Sequence, residues 1–157
     1  MKTVVAALCL AMAAIASPAA ADWEGARWGM SVDEAHAAIP GLRPVRHGIR
    51  LSDARKHSVR DVVFMGIEAE ASYFYDETGL AFVRLDVPFR QCQALVEGLL
   101  TRYGPPLEVD DQLLLKLITW DDAAEGNRLV LMHSAAEICN LRITSLPSGE
   151  PGTEPST

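Results

Sequence analysis

Cysteine, histidine, paired aspartates and a dense arginine segment are the residues of this chain whose types could do chemistry. The histidines, four in number, offer little assembly. His36 follows Asp33 and Glu34 on one short helical stretch, a grouping that could ligate a metal but that more often forms a solvated helix face. His133 and Ser134 are neighbours on a predicted strand, where adjacent side chains point to opposite faces and do not meet as base and nucleophile. GxSxG, HExxH, a Walker loop and a dinucleotide fingerprint are all missing from the sequence, so the specific catalytic signatures are absent. The expectation is a protein that is not an enzyme and carries no cofactor.

The acidic pairs Asp110-Asp111 and Asp121-Asp122, the second followed by Glu125 and Asn127, invite a calcium reading. They lack the alternating ligands and central glycine of an EF-hand loop, and hairpin turns need such polar residues anyway. No metal is expected. Cys92 and Cys139 have no CxxC spacing and no neighbouring histidine, so a redox or metal role is the weaker alternative to a disulfide. Cys92 falls on the inward stripe of a helix with Phe89, Val96, Leu99 and Tyr103. Cys139 alternates with Leu141 and Ile143 on the buried side of a late strand. A bridge between them would staple helix to sheet.

The segment GLRPVRHGIRLSDARKHSVRD gathers Arg43, Arg46, Arg50, Arg55, Lys56 and Arg60, together with His47 and His57. In a chain with 14 basic and 21 acidic residues, this concentration could steer an acidic partner through bidentate arginine contacts. It reads equally as a solvated loop balanced by acidic turns. Tyr73 and Tyr75 share one face of the strand ASYFY, with Phe74 on the other; an outward tyrosine face would give aromatic contact area. Trp23 is read either as a clamp on the N-terminal segment or as an exposed binding anchor, whereas Trp28 is expected to be buried. Arg46, Arg50, Tyr73, Tyr75 and Trp23 form the candidate binding set.

The elements that must hold these residues follow from length and pattern. Residues 1–21 join Lys2, an apolar run and Ala19-Ala20-Ala21, which predicts a signal peptide cleaved before Asp22 and a periplasmic location. Cys9 follows Leu8, where lipidation wants a small residue, and the apolar run is too short for a stable membrane span. Residues 22–146 are enough for one domain, and the acidic balance argues against nucleic acid. Residues 147–157, PSGEPGTEPST without Leu146, predict a disordered tail.

Within the domain, Ser31 and Glu34 form a capping box before SVDEAHAAI, and Pro40-Gly41 ends that helix. Met30 can staple onto it, and Gly29 permits the bend between Trp28 and the cap. VVFMGI, ASYFY and LAFVRLDV then read as strands, the last two joined through Asp76-Glu77-Thr78-Gly79. FRQCQALVEGLLTRYG is a second, longer helix stopped by Pro105-Pro106, followed by strands LLLKLITW, RLVLMH and EICNLRITSL. Helix followed by strands, twice, predicts an α+β fold built from two half-repeats, about 22–88 and 89–146. They are expected to share one antiparallel sheet, with both helices on one face and the other face more open.

WGMSVDEA opening one helix and RYGPP closing the next, in a tandem helix-then-strands chain, resemble the BamE (SmpA/OmlA)-like and β-lactamase-inhibitor-protein-like group. That resemblance implies a small periplasmic module that binds other proteins, with no catalytic residues to carry over. The chain departs from BamE in having no suitable lipidation cysteine. The leading expectation is a non-enzymatic module that binds a periplasmic or envelope protein through the open sheet face. A binder of a small anionic or envelope ligand is the alternative, and a small hydrolase stands behind both.

Overall fold

The computed structural model describes residues 22–147. The expected signal peptide, and the expected tail beyond Pro147, lie outside them. Two short strands, β1 (Asp22–Trp23) and β2 (Ala26–Arg27), form an N-terminal strap ahead of helix α1 (Val32–Ala38). Ser31 caps α1: its Oγ accepts from the Glu34 amide, and the Glu34 carboxylate accepts from the Ser31 amide. The Ser31 amide and hydroxyl, both donating to the Glu34 carboxylate, hold its carboxyl below the usual carboxylate range, and the capping box satisfies amides that a helix start would otherwise leave free.

The rest is a mostly antiparallel α+β arrangement dominated by a nine-stranded sheet. Its strands are β3 (Arg43–Pro44), β4 (Arg50–Leu51), β5 (Ala54–Phe64), β6 (Ile67–Asp76), β7 (Gly79–Asp86), β8 (Glu108–Gln112), β9 (Leu115–Asp122), β10 (Asn127–Ser134) and β11 (Ile138–Ser145). They lie in the order β3-β5-β6-β7-β11-β10-β9-β8, with β4 also on β5. Helix α2 (Cys92–Tyr103) follows β7 after a 3-10 turn at Phe89–Gln91.

Four features differ from, or were not foreseen in, the sequence reading. The arginine-rich stretch is not one continuous loop: its second half is the long strand β5, and its first half pairs along that strand through β3 and β4. VVFMGI is two strands and a turn, because Met65 and Gly66 both take positive φ, the conformation a two-residue hairpin between twisted strands requires. The polar EVDDQ of β8 is an edge strand exposed along its length, so it carries no alternation to read. The inward stripe of α2 is Cys92, Leu95 and Leu99, with Val96 and Tyr103 partly buried against the same core, whereas Phe89 is exposed.

One core cluster joins Ala35 and Ile39 of α1, Leu95 and Leu99 of α2, and Tyr73, Val83, Leu131, Leu141 and Ile143 from the sheet. Cys92 and Cys139 form a disulfide tying α2 to β11 across a sequence separation of 47. A second, smaller cluster packs Ala54, Phe74 and Phe82, with the two rings stacked 4.4 Å apart. Because side chains alternate along a strand, Phe74 and Phe82 stand opposite Tyr73 and Val83, away from the larger core.

Candidate functional site

The predicted binding set separates when placed in the fold. Trp23, Tyr73 and Tyr75 are 7%, 0% and 5% exposed, so none offers contact area to a partner. The tyrosines face the larger core because that is the side their strand neighbours bury; a shared face was readable from their spacing, but its direction was not. Burial raises the Tyr73 hydroxyl pKa, and it pushes Tyr75 up to about 12. Among the described residues, neither hydroxyl has a hydrogen-bond partner.

Trp23 packs 6.4 Å from the Phe64 ring, and its strap is locked by Asn127. The buried Asn127 amide donates to the Asp22 carbonyl at 2.7 Å and accepts from Trp28 Nε1 at 2.8 Å. Gly29 and Met30 also exchange backbone bonds with Leu80, and at Gly79 a Cβ would fall 2.2 Å from the Gly29 carbonyl oxygen. The tryptophan-glycine-methionine step therefore docks the N-terminal strap onto a hairpin that must carry glycine.

Half of the basic segment is neutralised in place. Arg43 pairs with Asp61 at 3.1 Å, Lys56 with Glu70 at 3.2 Å, and Arg60 with Glu24 at 3.7 Å. Arg46, Arg50 and Arg55 are exposed and have no carboxylate within 4.0 Å among the described residues.

The other chemistry-bearing residues have structural partners. Asp121 takes a two-point contact from Arg128 at 2.7 and 2.9 Å, which lowers its pKa. Asp111 pairs with Lys116 at 2.7 Å. Among the described residues no group of three or more His, Cys, Asp or Glu is placed to hold a metal. His36 Nε2 lies 2.9 Å from Ser58 Oγ, the contact that a base and nucleophile would make. Ser58 is 0% exposed, however, so a substrate could not reach that hydroxyl without local opening. His57 stands edge-on to Tyr75, and His133 leans on Phe89.

Two surfaces remain: the β8 edge, which the sequence reading did not single out, and a groove on the sheet face away from the larger core. The sequence reading had expected binding through an open sheet face without naming these residues. At the free edge, Leu107, Val109, Leu113 and Leu114 project around β8 and its turn into β9, with Leu113 98% exposed. On the sheet face carrying Phe82, a groove of about 560 Å³ is bordered by the β4–β5 turn at Leu51 and Ser52 and floored by β7, β11, β10 and β9. Register places Arg84 of β7 directly opposite Arg142 of β11, with Val130 of β10 next in that row. Arg84 reaches Asp86 at 2.9 Å. Arg142 lies 3.9 Å over the Phe82 ring. Although the residue is exposed, the groove walls remove enough water from its guanidinium to lower its pKa; arginine nevertheless stays a cation at neutral pH. Single basic residues spaced along two distant strands gave no local sequence signal of this pairing.

No protein-family model matches the chain, and no curated protein matches it. A solved structure of a DUF4309 family protein (YjgB) from Bacillus subtilis subsp. subtilis str. 168 is similar with a TM-score of 0.47 and 14% identity, covering 73% of this chain and 78% of that one. Among the described residues, no helix is long and apolar enough to cross a membrane.

Proposed function

We propose that this chain is an exported, periplasmic, non-enzymatic protein-interaction module. The observation that carries the reading is the free β8 edge with its leucine-tipped turn: Leu113 and Leu114 are 98% and 68% exposed, flanked by exposed Leu107 and Val109. Leucines at a hairpin tip contribute nothing to the core, and clustered exposed apolar residues mark contact sites. An edge strand also offers unpaired backbone groups to a partner. The opposite edge is built from two-residue strands and contains Pro44, features that discourage strand addition. Exposed Arg46 and Arg50 provide a separate electrostatic contact region there, while buried Trp23, Tyr73 and Tyr75 have no place in the contact set.

The architecture reads as two copies of one unit, each a helix, an edge segment and a three-strand meander. The meanders β5–β6–β7 and β9–β10–β11 adjoin through their last strands, and residues of both helices share the larger core cluster. These arrangements support helices on one face and an open second face.

Affinity capture from periplasmic extract tests the interaction reading, with the parent protein beside Leu113→Asp/Leu114→Asp and Arg46→Glu/Arg50→Glu variants. A protein retained by the parent and lost from the leucine variant supports the module and its edge. Loss only from the arginine variant moves the contact to the other edge. Empty capture by a folded, disulfide-bonded parent counts against the reading.

A further inference from the structure

We propose that the groove on the Phe82 side of the sheet binds an aliphatic carboxylate, with its head on Arg142 and its tail along Leu117, Val130 and Met132. Charge supplies the first argument. Arg84 and Arg142 are directly opposite each other on adjacent strands, a placement in which like charges repel. Asp86, the one acid lining the groove among the described residues, is engaged by Arg84 at 2.9 Å. Arg142 has no carboxylate within 4.0 Å among the described residues. In a chain of net charge −7, an unpaired arginine resting 3.9 Å over an aromatic face is a preformed anion contact, with the fork geometry that suits a carboxylate.

The lining supplies the second argument. Leu51, Leu117, Val130, Met132 and Ile138 border the same groove, and its volume of about 560 Å³ falls within the range of small-molecule sites. Register puts Met132 opposite Asn140 on one side and Leu117 on the other, so the apolar floor runs continuously from β11 towards β9. The strand backbones beneath are paired in the ladder. Apart from Arg84, Arg142 and Asp86, the lining offers polar side chains among the described residues only at Ser52 and Asn140. A peptide would bury amides with too few partners there, whereas a hydrocarbon tail asks for none. That difference favours an aliphatic acid over a chain terminus.

This inference concerns the groove alone and does not depend on the β8 edge. Its test is calorimetric titration of the intact domain with decanoate, below its micelle concentration, beside decyltrimethylammonium and acetate. Saturable binding of decanoate with a raised melting temperature is expected, and neither comparison compound should match it. Arg142→Met should weaken decanoate about ten- to hundredfold while leaving circular dichroism unchanged. Val130→Glu, which places a second acid in the groove, should abolish binding by an independent route. Leu113→Asp/Leu114→Asp should bind decanoate normally, whatever it does to protein capture. The proposal is overturned if decanoate fails to saturate, if the cationic amphiphile binds equally well, or if folded Arg142→Met retains full affinity. Displacement of decanoate by an apolar tripeptide at lower concentration, dependent on its free carboxyl, would also overturn it by identifying the groove as a peptide site.

Discussion

Asn127 supports the strap through a single side chain, so its removal has an outsized effect for a polar residue at the start of a strand. Asn127→Leu keeps the bulk but orphans the Trp28 indole N–H and the Asp22 carbonyl, and it should cost about 1–3 kcal/mol in urea unfolding. Tyr75 makes a pH prediction of definite sign. Its pKa is raised by burial from 10.0 to about 12, so the folded state holds its proton longer than the unfolded state does. Stability from this group is fully present below pH 10 and is lost as pH rises through about 12. Alkaline unfolding should therefore coincide with the late tyrosinate absorbance, and Tyr75→Phe should remove that component. The sequence made the pairing of Tyr73 with Tyr75 legible because alternation reports which residues share a face. It did not report the direction, which the packing of distant helices decides. Asn127 resembled any polar turn residue; its partners lie 99 and 105 positions away.

At the scale of elements, local chemistry was the most readable part. The Ser31–Glu34 box and the glycine-proline stop after α2 are self-contained signals, and both helices lie where those signals put them. Ser31→Ala should lower stability by about 1 kcal/mol, measured as a shift in the urea midpoint at unchanged slope. Gly79→Ala should be more damaging: φ is +112° there, and the added Cβ meets the Gly29 carbonyl at 2.2 Å. Release of the strap should expose Trp23 and red-shift its fluorescence before global unfolding. The unreadable elements were those whose identity comes from a neighbour. β5 is rich in arginine and lysine, yet it is a strand because β6 pairs along most of its length. β8 has five exposed residues and becomes a strand only through β9. The turns at Met65-Gly66 and Leu113-Leu114 were hidden inside apolar runs, where hydrophobicity alone gave no punctuation.

For the whole molecule, the disulfide is the covalent tie between helix and sheet. Closing a loop of 47 positions restricts the unfolded chain by about 4 kcal/mol in the loop-entropy picture. Cys92→Ala/Cys139→Ala should accordingly lose most of that amount in urea unfolding while retaining its secondary structure in water. Two separated cysteines in a chain whose sequence predicts export made this bridge legible, since each sat on the inward side of its own pattern. The groove was not legible, because it exists only where β7 meets β11 and brings Arg84 opposite Arg142. The corner at Gly126 and Asn127 carries one more consequence. Asn127 holds the Asp22 carbonyl, and the Gly126 carbonyl accepts from the Leu146 amide, so Asp22 and Leu146 lie beside the same two residues. The backbone from Asp22 to Leu146 is thus nearly a closed ring. A short linker from Leu146 to Asp22, with new termini cut between Leu113 and Leu114, should yield a circular permutant that folds around the same disulfide.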